Sequence, residues 1–101
     1  MVEEMLKLRK FLDEKKIPWE DASEEMSDIV KIDRTHFDYK GYAISVINGF
    51  GTYGGYSGAN FPADDEKDNL GLLEVMVGGN EPKGWLTAKE AWKFIEENVY
   101  E

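Results

Sequence analysis

The sequence predicts an α+β domain: a small, mostly antiparallel sheet of three strands, or four, in the order α-β-β-β-α, with both helices packed on one face. Three observations predict it. Apolar residues recur at helical spacing near both ends of the chain. Between them, two short runs alternate apolar and polar residues around a turn signal, and a third run is nearly continuous in apolar residues. A chain of 101 residues has the size of a single domain, here 1–101, built on one core.

Residues 3–16 read as the first helix. Met5, Leu8 and Leu12 fall at helical spacing, Leu6 and Phe11 widen the stripe, and Lys7, Lys10 and Glu14 take the opposite face. Glu3 and Glu4 in the first turn and Lys15 and Lys16 in the last suit the helix dipole. Pro18 stops the helix by pushing its predecessor out of the α region. Residues 19–28 are polar and acidic and read as a connection.

Residues 29–37 and 42–48 read as a hairpin. Val30 and Ile32 alternate with Lys31 and Asp33, and Tyr42, Ile44 and Val46 alternate with Ala43 and Ser45. Asp38-Tyr39-Lys40-Gly41 supplies the turn, with Asp to open it and Gly for positive φ. The run 70–77 reads as a third strand, central or covered on both faces because it is almost wholly apolar. Gly78-Gly79-Asn80 ends it. Thr87-Ala88-Lys89-Glu90 is a capping-box sequence that starts the last helix. Ala88, Ala91, Trp92, Ile95 and Val99 form its apolar face, and Leu86 and Ala91 are placed as a hydrophobic staple. The long connection 49–69 is either functional or hides a fourth strand.

Composition excludes several functions. There are no cysteines, which removes disulfides, thiolate metal sites and cysteine nucleophiles and fits a cytoplasmic protein. The opening Met-Val-Glu-Glu-Met-Leu-Lys carries acids where a secretory signal would carry bases. No apolar run approaches the roughly 20 residues of a membrane span. The net charge of −9 sits in two blocks, 17–33 and 62–82, each with six acids against one base. Direct nucleic-acid binding is disfavoured, since it needs clustered bases. Acidic loops keep a protein soluble, and they also suit a basic partner.

The motifs that resemble chemistry fail on their surroundings. Gly49-Phe50-Gly51-Thr52-Tyr53-Gly54 spells G-x-G-x-x-G after a strand, but Gly55-Tyr56-Ser57-Gly58 follows where a phosphate-binding helix must begin. Asp64-Asp65-Glu66-Lys67-Asp68-Asn69 starts like a calcium loop, yet Asn69 stands at its glycine and Val75 at its closing glutamate. His36 is the only histidine, and a lone strand histidine is more often a packed or surface side chain than a ligand. Serines 23, 27, 45 and 57 lack an activating motif. Glu74 interrupts an apolar run and is expected to point outward on the pleat. No catalytic residue, metal site or cofactor is assigned.

The tracts Val46-Ile47-Asn48-Gly49-Phe50-Gly51-Thr52-Tyr53-Gly54-Gly55, Gly71-Leu72-Leu73-Glu74 and Gly84-Trp85-Leu86-Thr87-Ala88 resemble small acidic phage and prophage proteins with no assigned activity. The likeness covers about the C-terminal two thirds of the chain and implies a protein that acts by binding. The expected function is non-enzymatic docking on a protein partner, in its specific form a basic protein that handles nucleic acid. Asp64, Asp65, Glu66 and Asp68 would supply the charge, and Tyr53, Tyr56 and Phe61 the adjoining aromatic anchors. The alternative is a small enzyme or ligand-binding domain that uses 49–69 as a lid. A deep pocket with convergent polar groups would favour that alternative.

Overall fold

A computed structural model describes residues 2–25, 31–49 and 71–99. In chain order the elements are α1 (Glu3–Glu14), β1 (Trp19–Asp21), β2 (Glu24–Glu25), β3 (Lys31–Tyr39), β4 (Tyr42–Gly49), β5 (Leu73–Val77), β6 (Lys83–Leu86) and α2 (Ala88–Asn98). The strands form one antiparallel sheet in the order β1-β3-β4-β5-β6, and β2 also pairs with β3. The α+β class stands. Among the described residues the sheet has six strands, not three or four.

In α1, Met5, Leu8 and Leu12 are fully buried. Leu6, expected to widen the stripe, is instead 54% exposed, and Phe11 is half-buried against the core. At about 100° per residue, Leu6 projects roughly a quarter-turn or more away from the other three, whereas Arg9 lies only about 40° beyond Met5, at the edge of their arc. Arg9 is accordingly buried. The helix ends at Glu14, two residues earlier than expected, so Lys15 and Lys16 lie beyond its last turn. The Ile17 amide donates to the Leu12 carbonyl and the Lys16 amide to that of Asp13. Those two bonds are a Schellman motif, with Lys16 at the left-handed position usually held by glycine (φ 59°). Ile17 packs against the core beside it.

Residues 19–28 are not a plain connection: 19–21 and 24–25 are strands at the sheet edge. The β3–β4 hairpin is as expected, but Asp38 does not open its turn. Asp38 pairs with Ala43 in the ladder, and the loop is only Lys40-Gly41. Both loop residues have positive φ, 52° and 85°, as the tight hairpin turn that matches strand twist requires. Strand β5 starts at Leu73, not Leu70, and its residues alternate in burial rather than being buried throughout. Leu73, Val75 and Val77 are buried, Glu74 lies on the opposite face as expected, and Met76 beside it is 38% exposed. The register slips between Leu73↔Leu86 and Val75↔Lys83, a bulge on β6 whose Trp85 takes φ 60°.

The capping box of α2 is complete. Thr87 Oγ1 accepts from the Glu90 amide at 3.2 Å, and Glu90 Oε1 accepts from the Thr87 amide at 3.1 Å. The Thr87 amide holds the Glu90 carboxyl below its ordinary range. A further cap comes from far along the chain: Glu4 Oε1 accepts from the Ala88 amide at 2.9 Å. Leu86 and Ala91 are both buried, as a staple requires, while Val99 stands past the helix end in extended backbone and is buried too.

Period-two alternation divides the sheet. Thr35 and Phe37, then Ile44 and Val46, then Leu73, Val75 and Val77 line the inner face. Both helices cover that face, with Ala91, Trp92 and Ile95 of α2 packed beside Met5, Leu8 and Leu12 of α1. Each such fully buried aliphatic side chain stabilises the fold by about 1.5–3 kcal/mol. Asn48 closes the end of this layer, its Nδ2 donating to the Leu72 carbonyl at 2.6 Å. Among the described residues no helix is long and apolar enough to cross a membrane.

The two helix ends predict opposite responses. Thr87→Ala should lower stability by about 1 kcal/mol, the usual loss for a cap. Lys16→Gly should raise it by about 0.5–1 kcal/mol. Relief of the roughly 1–2 kcal/mol left-handed penalty exceeds the roughly 0.4–1 kcal/mol of added unfolded-chain entropy. Urea midpoints of the two variants should move in opposite directions, and a lower midpoint for Lys16→Gly would contradict this account of the α1 terminus.

Candidate functional site

Among the described residues no helix lies on the outer face of the sheet, and register places its side chains. Glu20 of β1 lies opposite His36 of β3, His36 opposite Ser45 of β4, and Ser45 opposite Met76 of β5. One row along, Asp38 lies opposite Ala43, whose carbonyl accepts from the Gly78 amide at 2.8 Å. With Pro18 at the rim, these residues line an open concavity of about 590 Å³. Glu20, His36, Asp38 and Ala43 are exposed, and Ser45 is half-buried.

A row of Glu20, His36 and Ser45 contains the residue types of a hydrolytic triad but not its geometry. Among the described residues no hydrogen bond joins the three. Ser45 also sits mid-strand, where ladder bonds on both sides leave no pair of free amides to receive an oxyanion. His36, expected to be a packed or a surface side chain, is exposed. No group of three His, Asp or Glu side chains among the described residues is placed to hold a metal ion.

The wall of the concavity is fixed from within. Arg9 Nε donates to Thr35 Oγ1 at 2.8 Å, and the Thr35 hydroxyl donates onward to Met5 Sδ at 3.1 Å. Arg9 Nη2 donates to Asp21 Oδ1 at 3.0 Å and to the Arg34 carbonyl at 3.1 Å. The guanidinium also lies over the Trp19 ring, 4.6 Å from its centroid. Trp19 Nε1 donates to Asp13 Oδ1 at 2.8 Å, tying β1 to the end of α1. These bonds seat Trp19 and Asp21 inward, which turns Glu20 outward beside His36. Arg9 escaped the sequence reading; its signal is an arginine four residues after Met5, at the edge of the apolar arc.

Among the described acids Asp21 is shifted furthest. The Ser23 side chain, the Ser23 amide and then Arg9 hold its carboxyl down to about 2 from the ordinary 3.8.

All seven residues expected to form the partner surface, Tyr53, Tyr56, Phe61, Asp64, Asp65, Glu66 and Asp68, lie outside the described residues, as does the glycine tract beyond Gly49. The structure does place the point from which they depart. Gly49 is buried at the end of β4, opposite Ile32, and Ile32 lies opposite Glu24 on the acidic edge. Along that edge Glu20, Asp21, Glu24 and Glu25 are all exposed.

No protein-family model, curated protein or solved structure matches this chain. The likeness to small phage and prophage proteins rests on the quoted tracts alone.

The depressed Asp21 carboxyl yields a signed expectation. Its contribution should be complete above pH 3.8 and lost as pH falls from there towards 2, because the folded state releases the proton more readily than the unfolded chain. Asp21→Asn should be less stable than the parent at neutral pH, and the two should converge near pH 2. Urea midpoints measured from pH 7 to pH 2 check this; a gap that stays constant would remove Asp21 from the linkage.

Proposed function

We propose that this chain is a non-enzymatic interaction protein that docks on a basic protein partner, in its specific form one that handles nucleic acid. The observation that carries the reading is the layout of charge on an open surface. Both helices close one face of the sheet, no helix among the described residues covers the other, and that side is bordered by a strand edge with four exposed acids. Exposed acids on an edge strand also deter edge-to-edge pairing, and that role is compatible with docking. The row Glu24–Ile32–Gly49 supports the view that both acidic blocks serve one surface. The chain that carries Asp64, Asp65, Glu66 and Asp68 departs from the end of the sheet where the first block lies. The concavity is open rather than deep, which weighs against enclosure of a small ligand, although it is not the convex surface expected of a docking protein. The likeness to phage and prophage proteins points towards docking.

On this reading the acids steer the encounter and the rings hold the complex. The experiment begins with affinity capture, followed by rate measurements on the captured partner at two ionic strengths. Replacing Asp64, Asp65, Glu66 and Asp68 by Asn or Gln should slow association about tenfold and flatten its salt dependence. Tyr56→Ala should chiefly speed dissociation. If the neutralised protein associates as fast, with the same salt dependence, the loop is solvated surface and the reading fails.

A further inference from the structure

Three regions of the surface present unassigned chemistry. The hollow of about 240 Å³ between β6 and α2 mixes Lys83 and Lys93 with Glu90 and Glu97 around Phe94, so its charges oppose one another and select no ligand sign. The buried indole nitrogen of Trp92 has no hydrogen-bond partner among the described residues, but Trp92 lines neither hollow. The concavity on the outer face combines shape, an apolar floor and two carboxylates unpaired among the described residues.

We infer that this concavity is the seat for an arginine side chain presented by an extended segment of the basic partner. The inference deepens the docking function proposed above and rests on it. Glu20 faces His36 across the β1–β3 ladder, and Asp38 is two residues further along β3 on the same face. Such a diagonal separates Cβ atoms by about 7–8 Å, a gap that a guanidinium fills with donors directed to both sides. Neither carboxylate is bonded or ion-paired among the described residues. The neighbouring acids are engaged: Asp21 by Arg9, and Glu24 by Arg34 at 3.3 Å. Beside the carboxylates the floor is Ala43 and Met76, and the 38% exposure of Met76 makes it one of two large apolar side chains open to solvent among the described residues. That floor suits the three methylenes of an arginine stem. A lysine ammonium presents a point charge and cannot bridge two carboxylates in a fixed plane. An extended backbone fits the alternating rows of an open sheet, which repeat every second residue as a strand does.

The test uses the full chain, labelled with nitrogen-15, and a capped pentapeptide with one arginine flanked by valines and alanines. Its control carries citrulline, which keeps the shape and lacks the charge. The expected result is saturable amide shifts centred on His36, Ser45 and Met76. Binding should be about tenfold weaker for the citrulline peptide and for the Glu20→Gln/Asp38→Asn protein. Ser45→Lys, which sets a cation in the concavity, should abolish the shifts without altering the rest of the spectrum. Shifts spread over all exposed acids, equal binding of the citrulline peptide, or no saturable shifts at millimolar peptide would overturn the inference. With the captured partner the two proposals separate. Unchanged kinetics in the Glu20→Gln/Asp38→Asn protein would remove the concavity as its seat and leave docking through residues 64–68 standing. Kinetics insensitive to both sets of neutralised acids would remove both.

Discussion

A buried guanidinium is the constraint on which the arrangement of this fold depends. Arg9 is 8% exposed on the core side of α1, and a charge removed from water must be surrounded by acceptors. The three acceptors come from two parts of the chain: a hydroxyl and the neighbouring backbone carbonyl from the middle of β3, and a carboxylate from β1. The helix can therefore sit only where Thr35 lies beneath it, and β1 only where Asp21 reaches across. A three-residue strand has little stability of its own. Strand β1 holds its place because it supplies a counter-charge and an aromatic face to a group already fixed by the core.

The same constraint decides what the other side of the sheet displays. Because Trp19 and Asp21 point inward to Arg9, the pleat turns Glu20 outward. Because Phe37 points inward to the core, His36 and Asp38 point outward. The outer concavity is thus the complement of the inner packing. The Schellman turn at Lys15 to Ile17 makes this possible over a short distance. It reverses the chain within a few residues of the helix end and delivers Pro18 to the rim and Trp19 to the ladder.

What was legible in the sequence follows from how local each signal is. The α2 cap lies within four consecutive residues, and structure and sequence agree on it to the residue. The hairpin was legible because alternation persists on both strands around a glycine. Strands β1 and β2 were not, since Trp-Glu-Asp and Glu-Glu show no apolar alternation. They are held by pairing with β3 and by Arg9, which are non-local. The run 70–77 suggested burial on both faces because Leu70 and Leu72 precede the strand and add to its apolar count, whereas the paired residues alternate in the ordinary way. Arg9 was hidden by its type, as basic residues on helices are usually solvated. The concavity was hidden for a related reason. Glu20, His36, Ser45 and Met76 are far apart in sequence and meet only through the register of four strands.

The distribution of bases shows why the outer face stays negative. Of the basic residues near it, Arg9 faces inward to Asp21, and Arg34 is bonded to Glu24 at the edge. Lys40 stands at the hairpin tip over the Tyr39 ring, 5.5 Å from its centroid, and Lys15 lies over Trp92 on the helical side. Arg9 and Arg34 thus bond acids other than Glu20 and Asp38, and the Lys15 and Lys40 ammoniums each lie over an aromatic ring. In a solvated setting two carboxylates at this spacing repel by well under 1 kcal/mol, so folding tolerates the arrangement without compensation. The repulsion becomes useful when a cation arrives. A guanidinium placed between the two relieves it and gains both attractions, while water still reaches the open side and keeps the desolvation cost small. A site of that kind favours rapid, salt-sensitive and reversible capture over tight burial.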